Sequence, residues 1–90
     1  MVLNVDHISR VGVFLEVVKY ESFAGAARSL GLTGPAISKQ VQSLEDQLGV
    51  RLLSRTTRHV GLTEEGAIYF EKARQALADL DEAEQQIQEL

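Results

Sequence analysis

The chain has 90 residues, of which 44% are hydrophobic and 24% are charged, and this is the composition of one small globular domain. It contains no cysteine, so disulfide bonds, thiolate metal sites and thiol catalysis are excluded. No apolar run is long enough to span a membrane, and the first residues lack the features of a signal peptide. We therefore expect a cytoplasmic domain without a membrane partner, and the formal net charge of −4, taken alone, argues against a nucleic-acid partner.

The first predicted helix covers residues 8–18. Its apolar residues are three and four positions apart and so share one face; they are Ile8, Val11, Leu15 and Val18. The candidates for its N-cap are Asn4 and Asp6. A second, shorter helix follows Ser22 and runs from Phe23 to Leu30. Gly31 is well placed to end it in a left-handed conformation.

The third predicted helix covers residues 34–48 and begins only three residues after the second. Thr33 is its N-cap, and Pro35 lies in its first turn, where a missing backbone N–H costs nothing. We expect one apolar face to be buried, formed by Ile37, Val41, Leu44 and Leu48. The small residues Ala26 and Ala27 suit close contact between the second and third helices.

After residue 50 the apolar residues no longer follow a helical spacing, and short segments typical of β-strands replace it. Two short strands, Leu52–Arg55 and Val60–Thr63, are predicted to form a β-hairpin through the polar residues 56–59. Thr63 then caps a long helix. Glu64 and Glu65 lie in its first turn, where negative charge interacts favourably with the helix dipole. Because the sequence has no glycine or proline after Gly66, this helix can run to the end of the chain.

The last helix carries a heptad repeat, in which apolar residues recur about every 3.5 positions. One heptad position holds Phe70, Leu77 and Glu84, and another holds Ala73, Leu80 and Ile87. We predict a homodimer through residues 64–90, formed by an antiparallel or a parallel helix pair. Its expected interface residues are Phe70, Ala73, Leu77, Leu80 and Ile87. The alternative is a helix that packs on its own domain.

The net charge is unevenly distributed along the chain. Residues 1–63 carry seven Lys or Arg against five Asp or Glu, whereas residues 64–90 carry two against eight. The acidity therefore belongs to the last helix, and the predicted hairpin region contributes the basic residues Arg51, Arg55 and Arg58. This asymmetry removes the objection to a nucleic-acid partner.

A helix, a short turn, a second helix and a basic hairpin are the parts of a winged helix-turn-helix. The predicted fold is mostly α, with this unit over residues 1–63 and a linker and dimerisation helix over residues 64–90. The face of the third helix opposite its apolar stripe is available to the major groove, and it carries Gly34, Pro35, Ala36, Ser38, Lys39, Gln42 and Ser43. The alternative is a small three-helix domain with an ordinary polar face.

The polar residues of that face, Ser38, Lys39 and Gln42, can hydrogen-bond to phosphates or base edges, and its apolar residues can contact a thymine methyl group. The N-terminus of the helix offers free N–H groups to a phosphate. Arg55 and Arg58, near the tip of the hairpin, are expected to reach the DNA backbone or the adjacent minor groove.

Several motifs occur in order along nearly the whole chain, at residues 22–27, 32–41, 44–45, 48–49, 52–55 and 62–66. As an ordered set they resemble the N-terminal DNA-binding domain of LysR-type transcriptional regulators. The resemblance implies a bacterial regulator that binds an interrupted inverted repeat of double-stranded DNA as a dimer. It also implies that helix 34–48 lies in the major groove, that the hairpin (the wing, residues 52–63) contacts an adjacent minor groove, and that a long linker helix pairs two domains.

Under this resemblance, the DNA-facing positions of the family fall on Thr33, Gly34, Pro35, Ser38, Lys39 and Arg55. Gly34 stands where the family often has glutamine, so a base-reading side chain is absent there. Lys39 stands where arginine is common, and a lysine does not make the bidentate guanine contact. Because of both departures, we expect the base preference to depend more on DNA shape and on Pro35, Ala36 and Ser38.

Family members usually continue into an effector-binding domain, and we expect none of it in these residues, so a small-molecule inducer acts only through that missing domain. We predict neither an enzyme nor a cofactor, because the serines and histidines lie far apart and no glycine-rich nucleophile turn or phosphate loop surrounds them. Two histidines at no ligand spacing also predict no metal site. The alternative function is a homodimeric protein-interaction module without DNA binding.

Overall fold

The computed structural model describes residues 4–55 and 60–90. Over these residues it has four α-helices and a two-stranded antiparallel sheet, in the order α1 (Val5–Tyr20), α2 (Phe23–Leu30), α3 (Gly34–Leu48), β1 (Leu53–Arg55), β2 (Val60–Leu62) and α4 (Glu64–Gln88). Helices α1, α2 and α3 pack against one another, and β2 and the start of α4 pack against α1. This is the predicted winged helix-turn-helix followed by a long helix.

Side-chain caps begin each helix, as the sequence predicts. Asn4, rather than Asp6, caps α1, and its side chain accepts the His7 N–H at 2.8 Å. The other helices begin in the same way after Ser22, Thr33 and Thr63. Helices α2 and α3 end at glycines with φ of 67° and 74°, the left-handed region that glycine adopts without strain. Helix α1 instead ends at Glu21, with φ of 51°.

The core lies between α1, α2 and α3. The predicted apolar face of α3 is confirmed at its three fully buried residues, Ile37, Val41 and Leu44, whereas Leu48 is half-buried. The predicted stripe of α1 is confirmed at Val11, Leu15 and Val18, which are half-buried and pack against the core. It is wrong at Ile8, which is 50% exposed, and it missed the fully buried Phe14 and Val17. Helix α1 has apolar residues on more than half of its circumference, so the spacing alone does not decide which face turns inwards.

The first turns of α4 complete this core. The Phe14 ring lies 5.9 Å from the Tyr69 ring and 6.5 Å from the Phe70 ring between centroids, the second pair edge-on. A Cβ on Gly66 would lie 1.9 Å from the Leu52 carbonyl oxygen, so only glycine allows α4 to approach the hairpin this closely. Every residue from 78 to 90 is exposed, and α4 therefore leaves the core as it proceeds.

The sheet is shorter than predicted at two positions. Its register pairs Leu53 with Leu62 and Arg55 with Val60. Leu52 lies before β1, and Thr63, which caps α4, lies after β2, although the Thr63 N–H still donates to the Leu52 carbonyl oxygen at 3.0 Å. The predicted hairpin connection, residues 56–59, lies outside the described residues.

Candidate nucleic-acid interface

The predicted DNA-facing residues lie in the turn before α3 and along one side of that helix. Positions 35, 38, 39 and 42 are three or four residues apart, so they share a face, opposite the buried residues of α3. The exposed members of the set are Thr33, Pro35, Lys39 and Gln42. The half-buried members are Gly34, Ala36, Ser38 and Ser43. The structure thus brings the α3 residues of the predicted site together, although about half of them are less exposed than expected.

The N-terminus of α3 offers fewer free N–H groups than predicted. The Ala36 N–H donates to the Thr33 hydroxyl oxygen at 3.2 Å, and Pro35 has no N–H. Of the first three residues of the helix, Gly34 alone keeps an N–H that donates to no other described residue. A phosphate at this end of the helix would therefore depend mainly on side chains.

Small residues hold α2 close to α3, as predicted. Ala26 is fully buried and Ala27 is 6% exposed. Gly25 is also buried, and it lets α2 approach the end of α1, because a Cβ there would lie 3.0 Å from the Tyr20 Cβ. Close packing of this kind fixes the outer face of α3 relative to the rest of the domain.

A polar contact that sequence reasoning missed joins α1 to the end of α3. His7 is 2% exposed, and its Nδ1 lies 2.8 Å from Oε1 of Gln47. The guanidinium of Arg10 donates to the same oxygen at 3.3 Å. The two partners of the first contact are 40 residues apart in the chain, and no local pattern connects them.

Arg55, the wing residue of the predicted site, lies at the end of β1. Its Nη2 is 3.4 Å from Oε1 of Glu45, and its guanidinium carbon is 5.3 Å from the centre of the Phe23 ring. The side chain remains 35% exposed. Gln42 of α3 and Arg55 line the same groove, so the structure brings the wing arginine beside the outer face of α3. Arg58, the other predicted wing contact, lies outside the described residues.

Glu45 is the main residue at this site that sequence reasoning missed. It is 4% exposed, and its Oε2 accepts the Leu52 N–H at 2.8 Å and the Leu53 N–H at 3.1 Å. A signal was present in the sequence, because Glu45 follows Val41 by four residues and so shares the buried face of α3.

The predicted dimer residues occupy three environments along α4. Phe70 packs against Phe14 of its own domain. Ala73 and Leu77 are half-buried and line a shallow, mostly apolar groove between α4 and α1, together with Ile8 and Val11. Leu80 also borders this groove and is 56% exposed, whereas Ile87, farther along the helix, is 69% exposed.

The helices have no feature of a membrane-spanning segment: none in residues 4–55 and 60–90 is both long and apolar enough to cross a bilayer. Over the same ranges, no three His, Asp or Glu side chains gather where they could hold a metal ion.

Similarity to known regulators extends over most of the chain. Residues 8–67 match the family described as "Bacterial regulatory helix-turn-helix protein, lysR family". An HTH-type transcriptional regulator of Xanthomonas campestris pv. campestris is 49% identical over 87% of this chain and 23% of its own length. The HTH-type transcriptional activator AaeR of Escherichia coli K12 is 42% identical over 91% of this chain and 26% of its own length. The chain thus spans about a quarter of these curated relatives, which are regulators and not enzymes, as predicted.

Among solved structures, the DNA-binding domain of BenM, in complex with catB site 1 DNA, is similar in fold. The TM-score is 0.84 at 33% sequence identity, and the match covers 91% of this chain and 92% of the BenM chain. Together with the family match over residues 8–67, this likeness extends from α1 into α4. The chain belongs to the LysR family of bacterial regulatory helix-turn-helix proteins.

Proposed function

We propose that this chain is the part of a LysR-type transcriptional regulator that binds double-stranded DNA, with α3 in the major groove and the wing on the backbone or the adjacent minor groove. The observation that carries the proposal is the shared groove of Gln42 and Arg55, because it joins the outer face of α3 to the basic wing in one surface. The proposed contacts are Thr33, Gly34, Pro35, Ala36, Ser38, Lys39, Gln42, Arg55 and Arg58.

The contacts divide by chemistry. Lys39 is exposed and forms no salt bridge with another described residue, so its ammonium group is available to a phosphate or a base edge. Ser38 and Gln42 supply hydrogen bonds, and Pro35 supplies apolar contact to a thymine methyl group. At Gly34 no atom lies within 4 Å of an added Cβ, so the backbone has open space in front of it.

We also propose a homodimer that forms through residues 64–90. Leu80 and Ile87 are exposed on α4, and Ala73 and Leu77 line the apolar groove beside them. Apolar residues on one face of a long acidic helix are typical of a helix that pairs with another. Because Phe70 packs in its own core, we place the start of the helix pair at Ala73.

A homodimer of this kind forms by an antiparallel or a parallel helix pair. Arg74 in the first half of α4 pairs with Glu71 of the same helix, and the second half carries the acids Asp79, Asp81, Glu82 and Glu84, so the charges of α4 do not select one arrangement. Two-fold symmetry then presents two copies of α3, which suits an interrupted inverted repeat.

Since the curated relatives extend far beyond the matched segment, we propose that control by a small molecule belongs to parts of the regulator outside these residues. Binding to chromosomal DNA places the regulator in the bacterial cytoplasm.

Fluorescence-anisotropy titration of a labelled duplex tests the DNA-binding proposal. We expect salt-sensitive binding by the unaltered chain and weaker binding by Lys39→Ala, because an exposed cation of the interface is lost. Lys19→Ala is the matched control, since Lys19 lies at the end of α1, where its ammonium group faces the Tyr20 ring at 5.5 Å. Absence of binding at low salt, or equal effects of the two substitutions, would support the protein-interaction module instead.

A further inference from the structure

A buried carboxylate joins α3 to the wing. Glu45 is 4% exposed and divides its two oxygens between different partners. Oε2 accepts the backbone N–H groups of Leu52 and Leu53, at 2.8 and 3.1 Å, and so holds the chain where it enters β1. Oε1 faces Nη2 of Arg55 at 3.4 Å. One oxygen therefore anchors the strand, and the other anchors the wing arginine.

Arg55 is held on two sides. A buried carboxylate is stable only when it is hydrogen-bonded and paired with a cation, and Arg55 is the cation that pairs with Glu45 among the described residues. The face of the Phe23 ring lies 5.3 Å from the guanidinium carbon, within the range of a cation–π contact. Because Phe23 begins α2 and Glu45 lies in α3, both helices of the helix-turn-helix fix the position of this guanidinium group.

The clamped arginine can still bind another group. Its side chain is 35% exposed, and a guanidinium group has five N–H donors, of which one points at Glu45. It also lines the groove that Gln42 borders. Glu45 and Phe23 have already removed much of the conformational freedom that a surface arginine would otherwise lose when it orders on DNA.

We propose that Glu45 is a positioning residue for DNA recognition, which acts through Arg55 and does not itself contact DNA. Glu45 fixes the distance between α3 and the point at which Arg55 contacts the DNA. The Arg55 contact therefore depends on the DNA sequence or the groove shape at that distance from α3. This inference rests on the proposed DNA-binding function.

The direction in which Glu45→Gln changes the affinity for DNA distinguishes a positioning role from simple electrostatic repulsion. A carboxylate close to DNA repels phosphates, so removal of its charge alone strengthens binding to every duplex. Loss of positioning acts in the opposite direction, and only on the preferred duplex. Glu45→Gln removes the charge and keeps an oxygen for the Leu52 and Leu53 N–H groups, but its amide nitrogen cannot accept a hydrogen bond from Arg55.

The test uses the full 90-residue chain and two duplexes of equal length. One is the duplex that the unaltered chain selects from a random-sequence library, and the other is a mixed-sequence duplex. We expect Glu45→Gln to lower the ratio of the two affinities about fivefold to tenfold, the lower end of the range for one good specific contact. The matched control is Asp46→Asn, which removes the neighbouring exposed carboxylate and leaves the ratio unchanged.

A double-mutant cycle with Arg55→Ala assigns the effect. If Glu45 acts through Arg55, Glu45→Gln has no further effect on the ratio in the Arg55→Ala background. A loss that persists in that background, or an unchanged ratio in the single variant, overturns the proposal. Protected Leu52 and Leu53 amides in hydrogen exchange would show that the strand anchor survives the substitution.

Phe23→Leu provides a second test that leaves the carboxylate in place. It removes the ring from the clamp and keeps an apolar side chain beside the core, so we expect the affinity ratio to fall in the same direction. An unchanged ratio for this variant counts against the clamp. If the unaltered chain binds neither duplex, the proposed function fails together with this inference. If the unaltered chain shows salt-sensitive binding but Glu45→Gln leaves the affinity ratio unchanged, as Asp46→Asn does, only this inference is overturned.

Discussion

The two ends of α4 lie in different surroundings. At its start, Phe70 packs edge-on against Phe14 in the domain core. Near its end, Ile87 is 69% exposed, and no residue after 77 is even half-buried. The heptad spacing is the same in both parts, so the pattern alone does not distinguish a residue that packs in the core from one that stays exposed.

The same substitution at two isoleucines gives the largest expected contrast between the core and the end of α4. Ile37 is fully buried in α3, so Ile37→Ala should lower the free energy of unfolding by about 2–5 kcal/mol, the range for a large-to-small change in a core. In the monomer, Ile87→Ala should change it by less than about 0.5 kcal/mol, as for an ordinary surface site. Urea titration at a concentration where the chain is monomeric measures both. Equal effects would show that the end of α4 is packed after all.

A glycine pair tests the junction where α4 begins. Gly66→Ala would place a Cβ 1.9 Å from the Leu52 carbonyl oxygen, and we expect it to destabilise the fold by about 3 kcal/mol, at the upper end of the usual cost of overpacking. Gly12→Ala is the control, because Gly12 lies in α1 with nothing within 4 Å, so alanine should stabilise the helix by up to about 1 kcal/mol. Thermal unfolding compares the two. Equal midpoints would contradict the close approach at Gly66.

Replacement of Leu77 and Leu80 by alanine tests the proposed dimer. Both residues border the groove between α4 and α1, and loss of their side chains should weaken self-association at least tenfold, which corresponds to about 1.4 kcal/mol. The stability of the monomer should fall less than in Ile37→Ala, since Leu80 is 56% exposed. Sedimentation velocity over a concentration series measures the association. An unchanged dimer in the double variant would place the interface elsewhere.

The fold was predictable from sequence where its causes are local. Helix caps at Ser22, Thr33 and Thr63, and the glycines that end two helices, act within a few residues, so their patterns are visible in the sequence. The bounds of α2 and α3 follow from them. The burial of Phe14 was not predictable in this way, because its aromatic partners lie more than fifty residues later in α4.

The candidate site divides in a similar way. The face of α3 that carries Pro35, Lys39 and Gln42 follows from helical periodicity. The polar contacts that hold this face in place do not follow from periodicity. The contact between His7 and Gln47 and the pair formed by Glu45 and Arg55 depend on how α1, α3 and the wing pack together. The spacing of Glu45 marked a buried position, but its partners became apparent only in three dimensions.

The most direct test of the account is the salt dependence of duplex binding by the unaltered chain and by Arg55→Ala. If a dimer contacts about six to ten phosphates, the slope of log affinity against log salt should be about −5 to −9, and Arg55→Ala, which removes one arginine contact from each protomer, should reduce its magnitude by about two. Lys19→Ala should leave the slope unchanged. A flat salt response of the unaltered chain, or an unaltered slope in Arg55→Ala, would contradict the placement of the wing on DNA.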